Sequence, residues 1–302
     1  LSNTVRYKSF KQFQTTQKQL AVAYHNIGKH RAAESLLQCS DVILHSHCGE
    51  HEDQSKVRIQ YCKNRFCPTC TVHRSHVLGQ ELRLVVDDLH DKGVKQANWI
   101  FLTLTIRNCE VSELAGEIDN MMRSWQRFSQ RKSFRTAVKG WFRAFELTYN
   151  KEEQTYHPHF HVLINTNASY FSGKYYISQK EWQRLWKESL NVDYDPIVDV
   201  RRVKSKTQQS SKGLVGAILE VCKYPMKVND LSSILRQGDF QVYEEALFKR
   251  RIIAFGGNLK QTLKNVRANK TLHDDTCEVC GNTMQKDVYV WSTETQNYQS
   301  CS

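Results

Sequence analysis

The stretch that most constrains the fold is His157-Pro158-His159-Phe160-His161-Val162-Leu163-Ile164. Side chains two apart on a strand share a face, so an extended run sends Phe160 and Val162 into a core and points His159 and His161 together the other way. Upstream, Trp141 to Tyr149 alternates as a second strand, and the polar Asn150-Lys151-Glu152-Glu153-Gln154 joins the two as a hairpin. Glu146 stands in that strand between Phe145 and Leu147. A carboxylate there has little reason to be present unless it meets a cation. With Glu146 on the histidine face, Glu146, His159 and His161 form a three-ligand metal site with positions left open for substrate. Mixed nitrogen and oxygen donors suit Mn²⁺, Mg²⁺ or another divalent ion. His157 is a spare ligand or orients the pair from behind. A single strand histidine is usually only a partly exposed residue with satisfied hydrogen bonds, but His-x-His facing a carboxylate favours a metal.

The neighbouring segments place this hairpin in a fold. Trp99 to Ile106 is a nearly continuous apolar and β-branched run, hence a central strand. Leu114, Ile118, Met121, Met122, Trp125 and Phe128 recur at helical spacing after Ser112. Ser178-Gln179-Lys180-Glu181 is a capping box that opens a helix through Trp182, Leu185, Trp186 and Leu190. Ile197 to Val203 reads as a strand and Leu214 to Tyr224 as a final helix. The order strand, helix, strand, strand, helix, strand predicts an α+β fold, a ferredoxin-like split βαβ antiparallel sheet with two helices on one face. Four regions are expected: a helical N-terminal region over 1–38, a Cys-rich zinc-binding element and bridging helix over 39–92, the catalytic sheet domain over 93–228, and a C-terminal helical region over 229–302 with a weakly structured tail.

Glu220 and Tyr224 lie one turn apart and project from one helix face. By itself such a pair is more often ordinary helix surface, and Pro225 disfavours helical backbone at Tyr224. Beside a metal-held phosphate, however, a tyrosine is a competent nucleophile, with Lys223 and Lys227 favouring its phenolate. Lysine and arginine number 43 against 31 acidic residues, a net charge of +12 that points to a polyanionic partner. Arg201, Arg202, Lys204 and Lys223 are candidates to track its phosphates. No run approaches the ~18 residues of a membrane span and the first residues form no secretory signal, so a cytoplasmic protein without a membrane partner is expected. The chain begins at Leu1, and a few residues are expected to precede it.

Ten cysteines in a reducing compartment read as metal ligands rather than disulfides. Cys62, Cys67-x-x-Cys70 and Cys277-x-x-Cys280 have the tight-turn spacing of structural Zn²⁺ knuckles. Two arrangements compete: one Cys₄ site shared by the two Cys-x-x-Cys pairs, or a local site of Cys62, Cys67 and Cys70 with Cys39 or Cys48 and a second ion on the tail pair. Cys39 to Cys70 reads as an irregular metal-bound element, and Cys109 and Cys222 as packing residues.

Three motifs occur in the order Phe101-Leu102-Thr103-Leu104-Thr105, His157 through Leu163, and Glu220 through Tyr224 with Lys227. In these the chain resembles the HUH endonucleases, and among them the rolling-circle replication initiators of small bacterial plasmids, in the branch with one tyrosine preceded by a glutamate. The Cys-rich segment with Cys62, Arg65, Cys67, Pro68 and Cys70 also looks like this branch. The resemblance implies that Tyr224 nicks one strand at the plasmid double-strand origin and stays on the 5′ end. It implies that Glu220 activates the attacking group at termination. It also implies origin DNA, both duplex and single-stranded hairpin, a host helicase and a host DNA polymerase as partners. A homodimer is a further expectation. A single-strand transposase on the same fold and a non-catalytic zinc-containing DNA-binding regulator are the alternatives.

Overall fold

The computed structural model describes residues 3–51, 53–95, 98–203, 212–222, 228–268, 276–292, 294–295 and 297–301. The chain opens with α1 (Asn3–Asn26), α2 (His30–Leu37), β1 (Val42–His47), β2 (Ser55–Ile59) and α3 (Pro68–Asp91). Next come β3 (Trp99–Thr105), α4 (Leu114–Gln130), α5 (Lys132–Ala137), β4 (Val138–Asn150), β5 (Thr155–Thr166), α6 (Gln179–Leu190) and β6 (Val198–Arg202). It continues through α7 (Lys212–Val221), α8 (Val228–Gln237), α9 (Phe240–Leu247), β7 (Ile253–Gly256) and α10 (Gly257–Ala268) to β8 (Gln285–Ser292) and β9 (Asn297–Ser300). Two compact units result: Leu1–His73 together with Asn269–Ser302, and Arg74–Ala268. Among the described residues no helix is long and apolar enough to cross a membrane.

The central unit, Arg74–Ala268, holds a five-stranded antiparallel sheet ordered β6-β3-β5-β4-β7. Without β7 this is the strand order of the split βαβ pattern, so the α+β ferredoxin-like reading stands. The sheet forms because its inner strands are apolar on both faces: in β3 only Thr103 escapes full burial. The β4–β5 turn is set by Asn150, whose Oδ1 accepts from the backbone N–H groups of Glu152 and Glu153 at 3.0 and 3.3 Å. On one sheet face Phe160 meets Trp125 of α4 and Trp186 of α6, with ring centroids 5.9 and 6.2 Å apart. Ser178 caps α6, its hydroxyl accepting from the Glu181 N–H at 3.2 Å. On the other face Phe101, Phe142, Ala144 and Leu163 share a buried cluster with Leu82, Val85 and Leu89 of α3, Ile218 and Val221 of α7, and Leu259 of α10. The chain turns from β7 into α10 at Gly257, where φ is +58° and a Cβ would lie 2.1 Å from the Lys139 carbonyl. Glycine alone fits there.

The terminal unit, Leu1–His73 with Asn269–Ser302, carries a second antiparallel sheet ordered β2-β1-β8-β9. Two expectations are corrected here. The Cys39–Cys70 segment contains the β1–β2 hairpin rather than only irregular chain, and the tail beyond Arg267 supplies β8 and β9. Half-exposed strands such as β1 have weak alternation. Pairing of Leu44 with Val288 leaves no local trace in sequence. α7 ends at Val221, short of the expected helix end, and Tyr224 lies outside the described residues.

Candidate functional site

The site is assembled by register. Glu146 on β4 pairs with His159 on β5, and Ala144 pairs with His161, so the carboxylate and both imidazoles share one sheet face. Glu146 Oε2 lies 2.8 Å from His161 Nε2 and 3.3 Å from His159 Nε2. Glu146 and His159 are each only 7% exposed. Burial alone raises the Glu146 carboxyl, but hydrogen bonds and positive charge from His159 and His161 outweigh it and hold the group well below the ordinary carboxylate range. Each ring is fixed from behind. His159 Nδ1 donates to the His157 carbonyl at 3.1 Å, and His161 Nδ1 lies 3.3 Å from Thr103 Oγ1. With Nδ1 engaged by that carbonyl, His159 directs Nε2 at the Glu146 carboxylate, where a proton or a metal can lie between them. The 2.8 and 3.3 Å separations bracket the ~3.0 Å edge between adjacent donors held ~2.1 Å from an octahedral ion. The donor set thus fits a divalent metal, without fixing its identity.

The other expected active-site residues divide into described and undescribed. His157 pairs with Thr148 on the same face, but its ring is outside the three-residue donor group. Burial lowers its pKa, and its carbonyl is what holds His159. Glu220 occupies the last turn of α7, half-buried, on the helix whose Ile218 and Val221, with Cys222 just beyond it, cover the apolar end of the histidine face. Tyr224, Lys223, Lys227 and Lys204 lie outside the described residues. Arg201 and Arg202 are exposed on edge strand β6. Arg201 pairs with Phe101 in register and bonds Asp199 at 2.6 Å, while Arg202 stands 4.1 Å over the Phe171 ring.

Seven of the ten cysteines gather into two separate groups, both in the terminal unit. Cys39, Cys62, Cys67 and Cys70 form the first. Cys39 lies 3.6 Å from Cys70 and from Cys67, and Cys62 lies 3.5 Å from Cys70. Backbone N–H groups of Cys62 and Asn64 point at the sulfurs of Cys39 and Cys62 at 3.5 and 3.4 Å. Hydrogen bonding among the four thiols lowers Cys62 and Cys70 and raises Cys39 and Cys67, so that only two of the four favour the thiolate. Four sulfurs bound ~2.3 Å from a tetrahedral zinc would be about 3.8 Å apart, so the set is compatible with zinc. The second group is Cys48, His51, Cys277 and Cys280. The structure thus gathers the tail pair with Cys48 and not with Cys67 and Cys70. All cysteines are free thiols. Burial pushes Cys109 and Cys222 up to about 12, as expected of inert packing thiols.

Sequence reading did not single out His51 or Thr103. Cys48-Gly49-Glu50-His51 has the Cys-x-x-His spacing of a metal knuckle, which is a legible signal. Thr103 shows itself only through the pairing of β3 with β5, which sets it opposite His161.

A family model described as "Replication protein" matches residues 54–299. The chain is similar to a "Protein rep" of Bacillus amyloliquefaciens, 32% identical over 95% of this chain and 88% of that protein. It is also similar to a "Protein rep" of Streptococcus pneumoniae serotype 2, at 37% identity over 79% of this chain and 75% of the relative. A Staphylococcus aureus "Replication protein" is 32% identical over 72% of this chain and 96% of its own length. No solved structure matches. With the model covering most of its length, the chain belongs to the replication-protein family, the plasmid rolling-circle initiators that its three motifs resemble.

Proposed function

We propose that this replication initiator nicks and rejoins one DNA strand at its plasmid's double-strand origin through a 5′-phosphotyrosine. The observation that carries the reading is the Glu146–His159–His161 triad, with Glu146 and His159 buried and His161 partly so, on the sheet face that α7 covers, and with Tyr224 two residues beyond Cys222 in the chain. Glu146, His159 and His161 hold a divalent ion, Mn²⁺ or Mg²⁺, which when bound makes the scissile phosphorus more electrophilic. Tyr224 Oη attacks that phosphorus. The tyrosine proton passes to solvent or base, the bond to the 3′ oxygen breaks, and that oxygen takes up a proton from solvent to leave as a hydroxyl. One phosphodiester replaces another, so no nucleotide is consumed. Lys223 and Lys227 favour the phenolate, and Arg201, Arg202 and Lys204 track neighbouring phosphates. His157 supports the triad from beside it. Glu220 deprotonates the second attacking group at termination. The partners on this reading are origin DNA as duplex and hairpin, a host helicase, a host polymerase and a second copy of the chain. The Cys₄ group of Cys39, Cys62, Cys67 and Cys70 holds structural zinc.

Incubation with supercoiled plasmid bearing the cognate origin and Mn²⁺ tests this reading, the expected product being an open circle with protein on its 5′ end. Tyr224→Phe should bind origin DNA and form no adduct; an adduct in that variant overturns the nucleophile assignment. Glu220→Ala should still nick but release single strands longer than one plasmid unit. Unit-length circles in normal yield from it would refute the termination role.

A further inference from the structure

The central site leaves one donor cluster unused. Cys48 ends β1's run at the hairpin, His51 follows three residues later, and Cys277 and Cys280 arrive from the far end of the sequence. Cys48 Sγ lies 3.7 Å from Cys280 Sγ and 3.6 Å from His51 Nδ1, and Cys277 Sγ lies 3.8 Å from the same nitrogen. Tetrahedral zinc with sulfur at ~2.3 Å and nitrogen at ~2.0 Å sets sulfur–sulfur edges near ~3.8 Å and sulfur–nitrogen edges near ~3.5 Å. The observed separations match these edges and are far too long for disulfides. The Cys277–Cys280 turn is itself a metal knuckle. The Gly281 N–H donates to the Cys277 carbonyl at 2.9 Å, Gly281 adopts φ +75°, and the Cys277 N–H donates to the Asn282 carbonyl at 2.8 Å. Cys48 and Cys277 are buried, whereas His51 and Cys280 reach the surface.

We infer that Cys48, His51, Cys277 and Cys280 hold a second zinc ion, distinct from the Cys₄ site, which clasps the C-terminal knuckle to the β1–β2 hairpin. Its role is architectural. β8 must pair with β1 in the register Leu44 to Val288, and the clasp joins the chain on either side of that pairing. Among the described residues it would be the coordinate tie between segments more than two hundred residues apart in sequence. The inference deepens the zinc reading of the cysteines and is independent of the nicking reaction.

Elemental analysis of the purified full-length protein should find two zinc ions per chain, and a value of one overturns the inference. Cys277→Ser combined with Cys280→Ser should lower the count to one, with two retained ions counting equally against it. Because that variant removes two ligands and could impair folding, His51→Cys supplies a conservative check. In cobalt-substituted protein it should shift one half of the ligand-field absorption from a three-sulfur, one-nitrogen pattern to a four-sulfur pattern. An unchanged cobalt spectrum would mean that His51 is not a ligand. None of these readouts depends on DNA cleavage, so failure of the nickase reading leaves them interpretable.

Discussion

The two units of this chain bury different kinds of residue. In the central unit Trp99, Trp182, Trp186, Phe128, Phe142, Phe145 and Phe160 are all essentially sealed from solvent. Each such ring contributes about 1.5–3 kcal/mol by burial. The terminal unit has a thinner apolar core in its described residues, Leu20, Tyr24, Leu36, Phe66 and Met284 among them, and its buried positions include Cys39, Cys48, Cys67, Cys70 and Cys277. If the proposed zinc is bound there, coordinate bonds would take over part of the role of scarce apolar area. The donor groups differ as well: in the terminal unit they are mostly sulfur, four donors to a group, while the central unit brings together two imidazoles and a carboxylate.

The largest effect that would break this contrast is metal removal. Refolding without zinc should cost the terminal unit on the order of 10 kcal/mol, and Cys67→Ser a part of that. Amide exchange should then lose protection across β1, β2 and β8 while β3 to β5 stay protected. Equal loss in both sheets would show that the central unit also depends on the cysteines. Phe160→Ala addresses the other side: it should cost the central unit about 3–5 kcal/mol in denaturant titration, because the ring is fully buried among Trp125, Trp186 and Phe145. A smaller change, Thr103→Val, removes the partner of His161 Nδ1 and should weaken divalent-metal affinity about 10- to 100-fold in calorimetry. The fold should be nearly unaffected, and unchanged affinity would remove Thr103 from the site. Ser178→Ala should lower central-unit stability by about 1 kcal/mol through loss of the α6 cap.

Much of the central unit is legible in sequence because its information is local. The alternation at His157–Ile164, the apolar run at Trp99 and the capping box at Ser178 each specify an element, and their order specifies the sheet. Glu146 and its two histidines follow from strand periodicity plus one hairpin. The terminal sheet is less legible for a physical reason: β1 and β8 find each other only through three-dimensional closure, and their half-exposed faces lack a clean period. The pairing of donors is hidden likewise. Cys277-x-x-Cys280 advertises a knuckle, but that its partners are Cys48 and His51 is a property of the fold.

That the terminal unit is drawn from both ends of the sequence bears on how the chain is made. Synthesis proceeds from the N-terminus at roughly 5–20 residues per second, and domains tend to fold as they emerge. Every strand of the central sheet has left the ribosome before Thr276, so the catalytic scaffold can form while β1 and β2 still await β8 and β9. A message cut short after Ala268 would leave the central unit whole and the terminal unit with half of its strands. Completion of the terminal sheet therefore depends on translation reaching β8 and β9.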